Sequence, residues 1–225
     1  MTDTLILAAI LIPCLIIAIV FHEVAHGFVA WKLGDPTARQ LNRLSLNPIR
    51  HIDPVGTLLV PGALALAGGP IFGWAKPVPV MQNRLDNPRF GMMAVAAAGP
   101  GTNFLLAIVG AIALGIAMPY LDGTAAEPGF VAQGLFYFIL INVFLGIFNL
   151  LPLPPFDGSH IVEGLLPRSV VHHYAQLRRY GMLLFLGLIA LMWIFPELGI
   201  FENTIMPPVN WAMDKYLGLA AAIAG

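Results

Sequence analysis

AIVFHEVAHGFVAW (residues 18–31) sets two histidines and a glutamate into a run that is otherwise lipid-soluble. Ionisable groups inside hydrocarbon are costly and by default mark a functional site with partners. His22, Glu23 and His26 form the pattern H-E-x-x-H. On a helix, positions i and i+4 share a face, so both imidazoles reach one ion. The glutamate stands beside that ion, placed to handle a water on it. A catalytic zinc takes three protein ligands and keeps a fourth position open. The motif supplies two, so a third has to come from elsewhere in the chain.

Composition agrees with a membrane setting. Of the 225 residues, 58% are hydrophobic and only 10% charged, and the mean hydropathy is +0.82. A soluble domain would carry roughly 25% charged residues. The fold class expected is therefore an all-α polytopic membrane protein. A net charge of -1 gives no reason to expect a nucleic-acid partner. Cys14 stands alone in an apolar run, so it reads as a small core residue. The N-terminus lacks a basic n-region and a small-residue cleavage site, and reads as a retained helix.

A spanning helix needs about 20 largely apolar residues. Core helices are expected at about 4–33, 91–118 and 130–153, with peripheral helices at about 180–195 and 205–225. Pro207, Pro208, Asp214 and Lys215 interrupt the last of these. The count comes to about five to six transmembrane helices. Residues 55–75 carry no charge but contain Gly56, Pro61, Gly62, Gly68, Gly69, Pro70 and Gly73. So many breakers argue against a continuous helix, and a re-entrant segment is expected there. "FGWAKPVPV" alternates enough for a short strand or β-hairpin near residues 55–80, and Pro77 and Pro79 confine it to an edge.

Charge placement tests this topology. If residues 55–75 re-enter, Arg39, Arg43, Arg50, Lys76, Arg84 and Arg89 all share the cytoplasmic side. The loop 119–129, with Asp122 and Glu127 and no Lys or Arg, then lies outside, and Arg168, Arg178 and Arg179 return inside.

Candidates for the third ligand cluster in "NLLPLPPFDGSHIVEGL", where Asp157, His160 and Glu163 all qualify by residue type. Gly158 allows a sharp turn or a close helix approach beside Asp157. With a re-entrant 55–75, Asp157 reaches the same inner face as His22 and His26. With a full crossing it would lie at the opposite face. His160 and Glu163 follow at three-residue steps and either flank the site or begin a solvated helix. His51 reads as a solvated loop histidine, and His172 and His173 as a cytoplasmic surface pair.

"FHEVAHGFVAW" with the distant "NLLPLPPFDG" resembles the site-2 protease family of intramembrane zinc metalloproteases, peptidase family M50. The resemblance runs from about Phe21 to Gly164 and includes "AAAGPGTNFLLA" and "GWAKPVPV". It implies that His22, His26 and Asp157 bind one Zn2+ per chain and that Glu23 is the catalytic base and acid. It further implies a single membrane-embedded metalloprotease domain over residues 1–225, a short form without PDZ or CBS domains. Its substrates would be transmembrane protein segments in the lipid bilayer, cleaved near the cytoplasmic face of what is expected to be a bacterial inner membrane. Asn149, eight residues before Asp157, and Asn103, after "GPGT", are candidate donors to the oxyanion; each also reads as a helix-packing amide. The competing class is a membrane metal transporter or a non-proteolytic metal-binding membrane protein. A transporter would need polar ligands on several spans near the midplane, whereas these ligands gather at one face.

Overall fold

The computed structural model describes residues 2–66, 74–121 and 129–225. The described chain is helical, with no strand among the described residues. In order, the helices are α1 (Thr2–Lys32), α2 (Thr37–Gln40), α3 (Val60–Leu66), α4 (Pro88–Ala117), α5 (Phe130–Asn149), α6 (Asp157–Leu165), α7 (Arg168–Gln176), α8 (Gly181–Ile194) and α9 (Met206–Ala224). Four stretches are long and apolar enough to cross a membrane: Leu5–Lys32, Pro88–Tyr120, Phe130–Asn149 and Arg168–Ile194. Of the expected five to six spans, only four are found among the described residues. The expected 205–225 helix forms as α9 but is not among these spans.

The helix starts are written in the sequence. Asn47-Pro48, Asp53-Pro54 and Asn87-Pro88 each place an N-capping side chain before a proline at the first helical position. Asn47 Oδ1 accepts from the Ile49 N–H at 3.0 Å. Asp53 Oδ1 accepts from Val55 and Gly56, both at 2.9 Å, and opens a π-helical turn, Pro54–Leu59, that runs into α3. Asn87 Oδ1 accepts from Phe90 at 3.3 Å and opens α4. At the other end, α5 stops at Asn149, short of the expected 153, where Pro152, Pro154 and Pro155 withhold the N–H groups a helix needs.

α4 is the central element and packs against α1, α5, α6 and α9. Ala107, Ala111, Ile139, Val143 and Val209 form the buried seam between α4, α5 and α9. Small residues on α4 let neighbouring backbones approach closely, the usual device where lipid gives no hydrophobic drive to helix association. Leu5, Leu105 and Leu183 lie exposed on the outer faces, as a lipid-facing surface requires.

The chain leaves α1 and enters α4 at the same end. Gly34, at φ +102°, ends α1 in a conformation that L side chains rarely adopt, and the Asp86 N–H returns to the Leu33 carbonyl at 2.9 Å. Asp35, fully buried, ties the two strands of chain together. It accepts from the Thr37 N–H at 3.0 Å, from the Thr37 hydroxyl and from the Met81 N–H at 2.6 Å. Burial alone would raise this carboxyl, but the Thr37 hydroxyl, the two N–H groups and Arg84 hold it below its ordinary value. Asp35→Ala should lower the thermal unfolding midpoint in detergent, at about 1–3 kcal/mol for each buried donor left without a partner. An unchanged midpoint would remove this tie from the account.

The hairpin expected near residues 55–80 is absent among the described residues; 67–73 lie outside them. Residues 74–80 form neither helix nor strand. Pro77 and Pro79 cannot donate to a ladder, and the donors that remain bond elsewhere. Trp74 N–H goes to Gly56 O at 3.0 Å and Lys76 N–H to His51 O at 2.9 Å. Most of the expected outer loop, 122–128, also lies outside the described residues.

Candidate metal centre

The i, i+4 spacing places His22 and His26 on one face of α1, with rings 4.6 Å apart, edge to face. Asp157, the first residue of α6, meets them from the far side of α4 in sequence. Its Oδ2 lies 3.1 Å from His22 Nε2 and 3.3 Å from His26 Nε2, and the two Nε2 atoms are 3.0 Å apart. Gly158 makes this possible: a Cβ there would sit 2.3 Å from the Leu150 carbonyl oxygen, so only glycine lets α6 start hard against the end of α5. Gly99 of α4 backs the cluster; a Cβ there would lie 2.5 Å from His26 Nε2 and 2.6 Å from His22 Nε2.

Hydrogen bonds behind the rings fix their tautomers. Val95 O can only accept, so His26 Nδ1, 2.7 Å away, carries the proton. A relay of amides decides His22. Asn142 Nδ2 donates to Phe138 O at 2.8 Å, which leaves Asn142 Oδ1 to accept from Asn103 Nδ2 at 3.0 Å. Asn103 Nδ2 also donates to Ala18 O at 3.2 Å. Asn103 Oδ1 therefore faces His22 Nδ1 at 2.6 Å and accepts its proton. When the rings are neutral, both Nε2 lone pairs thus point at Asp157 Oδ2, a buried oxygen without a hydrogen-bond partner among the described residues. Three acceptors facing one another repel unless a cation lies among them. The ligand atoms, all within 4.8 Å of one another, offer the two-nitrogen, one-oxygen set of a catalytic zinc, so the residues fit the metal.

The centre opens into a cavity of about 520 Å³, lined among others by Glu23, Trp74, Val78, Asn149, Asp157 and His160. Glu23 Oε2 accepts from the Val78 N–H at 2.8 Å. Asn149 lines the cavity and donates to Leu145 O one turn back at 3.0 Å. Asn103 does not: it is fully buried, with its amide donating to Ala18 and Asn142, and it orients His22 instead of facing a substrate. Asn103→Leu should weaken zinc binding about 10- to 100-fold in a chelator competition. Unchanged affinity would show that the relay does not set the tautomer.

His160 lines the cavity, with Nδ1 3.5 Å from Glu163 Oε2. Glu163 in turn pairs with Arg178, and neither residue is in the three-residue cluster of His22, His26 and Asp157 found among the described residues. Burial and the Arg178 guanidinium push His160 below its ordinary value despite the carboxylates near it. His51 is not solvated. It is buried, donates from Nε2 to Ser45 O at 2.8 Å, and braces the segment that reaches Glu23. His172 and His173 are both exposed on α7, with rings 5.9 Å apart.

Comparison with known proteins returns one family and a set of relatives. The family model described as peptidase family M50 matches residues 114–194, a stretch that holds Asp157 and Asn149 but not His22 or His26. The chain is similar to "Putative zinc metalloprotease YwhC" of Bacillus subtilis (strain 168), 39% identical over 95% of this chain and 91% of that protein. It is similar to "Putative zinc metalloprotease Rip2" of Mycolicibacterium smegmatis, 27% identical over 75% of this chain and 62% of the relative. "Putative zinc metalloprotease MJ0611" of Methanocaldococcus jannaschii is 32% identical over 64% of each chain. No solved structure matches.

Proposed function

This chain belongs to peptidase family M50 and is an intramembrane zinc metalloprotease, and on that premise we propose how its residues divide the work. His22, His26 and Asp157 hold one zinc per chain. Bound there, zinc lowers the pKa of a water and polarises the scissile carbonyl. Glu23 is the general base and acid: its carboxylate takes the water's proton and gives it to the leaving amine. Asn149, on the cavity wall, is the neutral donor to the reacting carbonyl oxygen. Asn103 and Val95 O keep the imidazoles in the tautomer that leaves Nε2 for the metal. The convergence of three ligand atoms beside a glutamate in one cavity carries this reading.

The substrates are transmembrane segments of membrane proteins, and the work is regulated intramembrane proteolysis in the bacterial inner membrane. The whole chain acts as a single metalloprotease domain, with the centre near the cytoplasmic face. Support comes from the shared end of α1 and α4, which gathers Arg39, Arg43, Arg50, Arg84 and Arg89 on one side. The expectation that residues 55–75 re-enter the membrane falls partly on 67–73, which lie outside the described residues. Trapping with a Glu23→Gln variant in native membranes, followed by mass spectrometry, should recover membrane proteins joined through an apolar span. Recovery of soluble proteins alone would contradict the substrate class.

A further inference from the structure

We propose that the backbone N–H of Val78 is a positioning group for Glu23, and that residues 74–81 are a fixed wall of the proteolytic centre, not a lid over it. This rests on the assignment of Glu23 as the base. Between Pro77 and Pro79, Val78 has the single backbone N–H of the three residues. That N–H bonds Glu23 Oε2 at 2.8 Å. The flanking prolines fix their own φ, and Pro79 also confines Val78 to extended backbone. The direction of the N–H is therefore set by the local sequence.

The segment is fastened on both sides of Val78. Lys76 N–H bonds His51 O at 2.9 Å, and Arg43 Nη2 donates to Lys76 O at 2.7 Å. Met81 N–H bonds Asp35 Oδ2 at 2.6 Å. Val78 itself is buried and sits against Gly27, where a Cβ would come within 2.8 Å of its Cγ1. Gly27 is four residues after Glu23, on the same face of α1. One side of α1 thus receives the Val78 side chain and its N–H together. Anchoring Oε2 stops rotation of the carboxylate and leaves Oε1 for proton transfer, which is how a supporting hydrogen bond preorganises a base.

The test replaces the Val78 amide by an ester, using the α-hydroxy acid counterpart of valine. The exchange keeps the side chain and removes only the N–H. The probe is a quenched fluorescent polypeptide with one apolar membrane span, chosen for cleavage by the wild type. The ester variant should keep its zinc and its KM and lose about 10- to 100-fold in kcat. Val78→Ala, which trims the side chain but keeps the N–H, should lose less. Unchanged or raised kcat in the ester variant overturns the proposal, a rise meaning that the segment blocks the centre. Loss of zinc from the ester variant overturns it too, because the segment would then be holding the metal site together. If Glu23→Gln cleaves the probe as well as the wild type, the assignment of the base fails first. Equal kcat for ester and amide beside an inactive Glu23→Gln sinks this proposal alone.

Discussion

Glu23→Gln should leave the zinc in place and reduce turnover by about 10²- to 10⁴-fold, the usual worth of a positioned general base. The substitution is mild in structure. A glutamine carboxamide oxygen still accepts from the Val78 N–H, which Glu23 Oε2 now accepts at 2.8 Å. Neither histidine depends on Glu23, since His22 is oriented by Asn103 and His26 by Val95 O. Zinc content and the unfolding midpoint should therefore match the wild type while cleavage of a single-span probe collapses. A variant that loses zinc and activity together would mean that Glu23 supports the site instead of moving protons. A variant that keeps its activity would remove Glu23 from the reaction.

Gly99→Ala should be nearly as damaging by a different route, reducing zinc affinity by at least about 100-fold. The added methyl would fall 2.5 Å from His26 Nε2 and 2.6 Å from His22 Nε2 and Cε1, the ring edges that face the metal. α4 cannot retreat to make room, because Val95 and Asn103 on the same helix hold those same rings. Gly101→Ala is the internal control. It adds a methyl two residues away, into space with nothing within 4 Å, and should bind zinc as the wild type does. Equal losses at both positions would point to a general weakening of α4 and not to the metal pocket.

The centre was legible in the sequence because its chemistry is anomalous there. Two histidines and a glutamate at helical spacing in an apolar run have few readings, and Asp157, beside a glycine after the third long span, comes to the same end if residues 55–75 do not cross the membrane. The helix at residues 4–33 appears as Thr2–Lys32 and that at 91–118 as Pro88–Ala117, since apolar length and Asn-Pro capping are local signals. The supporting groups were not legible. Val95 acts through a carbonyl that every residue has, and Asn103 reads as a packing amide until His22 is seen beside it. His51 looks like a loop residue until its buried bond to Ser45 is known. Residues 74–80 mislead by their alternation, which suggests a strand, while the prolines and the remaining donors commit the segment to α1, to His51 and to the π-helical turn at Gly56.

The central claim is that one zinc lies among His22, His26 and Asp157. Anomalous scattering measured at the zinc edge, on crystals of the zinc-loaded protein, tests it directly. The account predicts a single peak about 2.0–2.2 Å from both Nε2 atoms and from an Asp157 oxygen. A peak elsewhere, or one at the histidines with the Asp157 carboxylate turned away, would contradict it.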